Sequence, residues 1–83
     1  MFPVPVTKVD TPDGPLFVAR DVTDASVYDA NGEFVGVVCE TAGPQGGTVW
    51  EYSRGNDPWF SGDYQRTRKA AVAGLASLLK AVA

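Results

Sequence analysis

Thr67 to Ala83 is the stretch that most limits what this chain can fold into. On a helical wheel centred on Leu75, the residues Ala71, Val72, Leu78, Leu79 and Val82 fall within about one third of a turn. Such a stripe must cover an apolar surface. The other side carries Ala70, Ala73, Gly74, Ser77 and Ala81, with only Lys69 and Lys80 on its flank. One face therefore closes a core, and the small-residue face suits a second helix or another protein. Alanine is also a strong helix former when simply exposed. Thr67 is the expected N-cap, its hydroxyl accepting an amide of the first turn, and Asp63 competes for that role one turn earlier.

Everything before this helix reads as β. Val4, Val6 and Val9 form an apolar-rich run that ends at Thr11-Pro12-Asp13-Gly14, where proline presets the turn and glycine supplies its left-handed residue. Leu16 to Val22 returns as a second strand. Val27-Tyr28 and Phe34 to Glu40 flank the hairpin Asp29-Ala30-Asn31-Gly32-Glu33. Asn-Gly alone suggests a two-residue type I′ turn. Asp at the first position and Gly at the fourth favour a type I turn closed by a left-handed glycine bulge, which is the preferred reading. Thr41-Ala42-Gly43-Pro44-Gln45-Gly46-Gly47 is a flexible connection, and Thr48 to Ser53 follows as another strand. Arg54 to Gln65 is a loop of turn formers that also holds Trp59 and Phe60.

Strands are thus expected at 3–9, 15–22, 26–30, 34–40 and 48–53, with a helix at 67–82. A run of strands followed by a helix predicts an α+β fold: an antiparallel sheet of four to five strands with the C-terminal helix packed across one face. The 83 residues are expected to form a single domain, residues 1–83. A chain this short buries roughly 60% of its unfolded surface. Cys39 is the lone cysteine, which excludes an intrachain disulfide and fits a reducing cytoplasm. Neither a spanning apolar run nor a signal-peptide pattern is visible, so no membrane association is expected.

Catalytic chemistry has little to work with. Histidine is absent, which removes the commonest general acid–base and the usual zinc ligand sets. The acids fall mostly in turns and form no recognisable carboxylate pair. Asp29, Asn31, Glu33 and Glu40 mimic a calcium-loop spacing, but Phe34 stands where that loop needs glycine. Gly43 to Gly47 lacks the Lys-Ser/Thr of a phosphate loop. Cys39, in the run Val35, Val37, Val38, reads as a small buried hydrophobe. The expectation is a non-enzyme with no cofactor and no metal.

Charge is unevenly placed. Residues 1–53 hold two bases and eight acids, whereas residues 54–83 hold five bases and two acids. Arg66, Arg68 and Lys69 cluster at the helix start, with Arg54 and several aromatics near them in sequence. Bases neutralise phosphates and aromatics stack on nucleobases, so these four residues are candidate nucleic-acid contacts. The acidic sheet region opposes a polyanion. Trp59 and Phe60, with Ala70, Ala73, Gly74 and Ser77, are the candidate contacts for a protein partner, since aromatic residues dominate interface hot spots.

The strand Val49-Trp50-Glu51-Tyr52, a glycine-bearing loop, and Arg66-Thr67-Arg68-Lys69-Ala70-Ala71-Val72 with Leu75 resemble the C-terminal pattern of small accessory proteins of actinobacteria and their bacteriophages, of the mycobacteriophage type. The resemblance spans residues 27–83 and leaves the first hairpin, residues 3–22, outside it. It implies a short sheet followed by an alanine-rich helix. It also implies a protein that binds a host or phage protein in the host cytoplasm, modulating or inhibiting host physiology, with a homodimer as a further form.

Overall fold

The computed structural model describes residues 2–20, 24–55 and 64–82. Five strands run β1 (Val6–Val9), β2 (Leu16–Ala19), β3 (Asp24–Tyr28), β4 (Phe34–Ala42) and β5 (Thr48–Arg54), followed by helix α1 (Arg68–Val82). They form one antiparallel sheet in the order β1-β2-β3-β4-β5, so every strand pairs with its neighbour in sequence. The expected α+β architecture is the observed one, with all five strands present.

The turns form for the local reasons their residues supply. At 11–14 the Gly14 amide donates to the Thr11 carbonyl at 3.0 Å, the Asp13 amide donates to Thr11 Oγ1 at 3.2 Å, and Gly14 has φ 107°. At 29–33 the Gly32 amide donates to the Asp29 carbonyl at 3.0 Å, and Gly32 has φ 82°. Asp29 Oδ1 also accepts the amides of Asn31 and Glu33, at 2.9 and 3.0 Å. This is the type I turn with a left-handed glycine. Thr67 is the N-cap, its Oγ1 accepting the Ala70 amide at 3.1 Å. Asp63, the competing cap, lies outside the described residues.

Several boundaries move. β1 begins at Val6 rather than at residue 3, because Pro3 and Pro5 have no amide to donate to a ladder. Phe2 instead stacks on Phe17, ring centroids 4.8 Å apart, and meets Tyr28 at 6.2 Å. β3 covers residues 24–28 rather than 26–30: Asp24 pairs with Cys39 and Ala25 with Val38, and a register shift follows at Val27/Tyr28. β4 and β5 extend slightly beyond their expected ends, to Ala42 and Arg54.

Register and alternation assign the two faces. Val18, Val27 and Gly36 form one row across the sheet, and Ala25, Val38 and Tyr52 form the next. These residues are buried and face α1, which contributes Ala71, Val72, Leu75 and Ala76 to the same core. The helix crosses mainly β4 and β5. Its last turn reaches the first hairpin, where Lys80 Nζ lies 3.3 Å from Asp13 Oδ1. Exposed as the lysine is, the ion pair orients the helix end more than it stabilises it. Cys39 departs from its expected burial. Val38 takes the inward position, so strict alternation turns Val37 and Cys39 to the opposite face, where both are half-buried.

Candidate interaction surface

The small-residue side of α1 is divided by the fold. Gly74 is not presented to a partner. A Cβ added there would stand 2.5 Å from Tyr52 Cε1 and 2.9 Å from Cζ, so the missing side chain makes room for the buried Tyr52 ring. Ala70 and Ala73 are half-buried, and Ser77 and Ala81 are exposed. The outward strip that remains is narrow and chemically plain. Ala76, which the helical wheel left out of the stripe, is buried at the core edge instead. Gly74→Ala therefore tests this placement by its sign. An outward glycine would gain about 1 kcal/mol of helix propensity on becoming alanine. Against Tyr52 the same change is expected to cost about 1–2 kcal/mol through overpacking, read as a lowered thermal midpoint.

Trp59 and Phe60 lie outside the described residues. Among the described residues, the large exposed apolar side chains are Val4, Phe34 and Tyr64.

The four candidate nucleic-acid contacts separate into two places. Arg54 is exposed at the end of β5. Gln65 sits beside Trp50 near the start of the same strand, exchanging two backbone hydrogen bonds with it at 2.7 and 2.8 Å. Arg66 and Lys69 follow Gln65 as exposed side chains, with Arg68 half-buried between them. Arg54 is therefore about 13 Å along the strand from the Gln65 bridge, at roughly 3.3 Å per residue. The first turn of α1 has no acid, so its positive dipole end faces bases, an arrangement that helices ordinarily avoid. None of Arg66, Arg68 and Lys69 is in an ion pair with another described residue.

Beside that cluster lies an open groove of about 500 Å³, lined by the connection 43–47, by Thr48 and Val49, and by Tyr64, Gln65 and Arg66. The connection is shaped by left-handed glycines, Gly46 at φ 85° and Gly47 at φ 74°, and closed by the Gly43 amide donating to the Gly47 carbonyl at 2.9 Å.

On the sheet face away from α1, Val37, Cys39, Thr41 and Val49 are half-buried, and no described helix lies over them. Cys39 is flanked in register by Asp24 on one side and Glu51 on the other. Burial first, then the charges of Asp24 and Glu51, push its thiol above the ordinary value and disfavour the thiolate. The described residues contain no cluster of His, Cys, Asp and Glu able to hold a metal ion. They also contain no helix long and apolar enough to cross a membrane. No protein-family model, no curated protein and no solved structure matches this chain.

Proposed function

We propose that this is a non-catalytic accessory protein of phage type that binds a host or phage protein in the host cytoplasm and modulates host physiology. The observation that carries this reading is the sheet face opposite α1. Among the described residues a single helix covers one side of the five-stranded sheet, and the other side carries half-buried Val37, Cys39, Thr41 and Val49 beside buried Ser53. An apolar strip of this kind rimmed by Asp24 and Glu51 suits a protein partner with an apolar centre and a basic edge. Self-association through the same face is the homodimeric version of this reading.

The test is affinity capture from actinobacterial lysate, with and without nuclease, using the wild type and a Val37→Glu/Val49→Glu variant. A stoichiometric protein that survives nuclease and is lost with the variant is the expected result. Equal capture by both forms removes the sheet face from the proposal. Recovery of nothing but the protein itself, with a doubled mass by light scattering, assigns the face to a homodimer.

A second reading, nucleic-acid binding, is favoured by one arrangement: Arg66, Arg68 and Lys69 without ion-pair partners among the described residues, beside the groove and the exposed Tyr64. Capture that requires intact nucleic acid and weakens steeply with salt would promote it.

A further inference from the structure

The groove is lined by the glycine-bearing connection 43–47 and by the Tyr64-Gln65-Arg66 segment, with Thr48 and Val49. Gln65 gives and accepts a backbone hydrogen bond with Trp50, which holds the chain extended at that point. Tyr64 and Arg66 flank that bridge directly on either side in sequence. Tyr64 is 50% exposed, Arg66 is exposed, and both line the groove. Gly43, Gly46 and Gly47 also line it, and their lack of side chains brings main-chain groups within reach of an occupant. Among the described residues, no carboxylate lines the groove. Its volume of about 500 Å³ falls in the range of small-molecule sites.

We propose that this groove binds a single nucleotide unit. The Tyr64 ring stacks on the base and the Arg66 guanidinium takes two phosphate oxygens in a fork. The Gln65 side-chain amide and Thr48 hydroxyl offer donors and acceptors to the sugar or the base edge. The inference rests on the nucleic-acid reading above and narrows it, because Arg68 and Lys69 do not line the groove. The same chemistry is offered by a free mononucleotide and by the end of a single strand.

The experiment is amide-shift NMR on the full chain, titrated with adenosine monophosphate, adenosine, inorganic phosphate and a short single-stranded oligodeoxyadenylate. Adenosine monophosphate is expected to shift the amides of Gly46, Gly47 and Gln65 saturably, with adenosine and phosphate alone binding more weakly. Tyr64→Ala and Arg66→Ala should each weaken binding roughly tenfold, as loss of a stacking ring or a phosphate fork does. Tyr64→Phe, which keeps the ring, should bind as the wild type does. Groove amides unmoved by every probe would overturn the proposal, as would a Tyr64→Ala variant that binds normally. An oligonucleotide that shifts only the Arg68 and Lys69 amides also overturns the groove, while leaving nucleic-acid binding in place. Saturation by adenosine monophosphate with no response to the oligonucleotide supports the groove and ends the strand reading. Saturation of the same amides by both supports the groove and identifies the strand end as a source.

Discussion

Leu75→Ala is expected to lower the unfolding free energy by about 3–5 kcal/mol, the upper part of the range for deleting a buried leucine. Leu75 is fully buried at the centre of α1 and faces Gly36 across the helix–sheet contact. Truncation leaves a void where its methyl groups stood. Gly36 has no side chain to fill it, and the paired β4 backbone holds its position. Domains of this size are stable by only about 5–15 kcal/mol in total, so the variant should sit close to its unfolding threshold. Chemical denaturation decides the matter. A midpoint within experimental error of the wild type would mean that α1 is not seated over β4 as described.

Gly36→Ala approaches the same contact from below. The new Cβ would meet the Ser53 carbonyl oxygen of β5, and would stand 2.9 and 3.0 Å from the two Leu75 methyls. The methyls can move; the carbonyl belongs to a strand that is hydrogen-bonded in register with β4. Overpacking that must displace backbone falls at the severe end of its class, and a loss of about 3 kcal/mol is expected. Combining the two substitutions gives a sharper test. Leu75→Ala relieves the methyl clash but not the carbonyl one, so the double variant should be less destabilised than the sum by about 1 kcal/mol, the size of coupling usual between touching residues. Strict additivity would show that Gly36 and Leu75 do not touch.

What could be read beforehand was whatever a few neighbouring residues decide among themselves. Asp29 and Gly32 make their turn through hydrogen bonds within five residues, so the hairpin was legible to its turn type. Thr67 caps α1 three residues ahead of its partner amide, and Leu75 centres the stripe that the wheel predicts. Choices made across the fold were not legible. Gly74 lies on a rim of the wheel, and only the register of Tyr52 shows that its small size is used internally. Asp24-Ala25-Ser26 looks like a strand breaker, yet pairing with β4 and burial of Ala25 override that local preference. In Val37-Val38-Cys39 apolar character is continuous, so composition could not tell which residue faces the helix. The groove was missed altogether. The signal available was an aromatic and a base on either side of Gln65, but their meeting with the 43–47 connection depends on the bridge to Trp50.

The strand order has a kinetic consequence. Because each strand pairs with the one just before it, the sheet can zip up hairpin by hairpin, with short loops to close at each step. A topology so rich in local pairing belongs among the faster folders for its strand content. The inward row of Val18, Val27 and Gly36 nonetheless has no cover until α1, the final element, docks. A half-built sheet of this protein therefore shows water its most apolar surface, and helix docking rather than strand pairing sets how long that surface is open to aggregation.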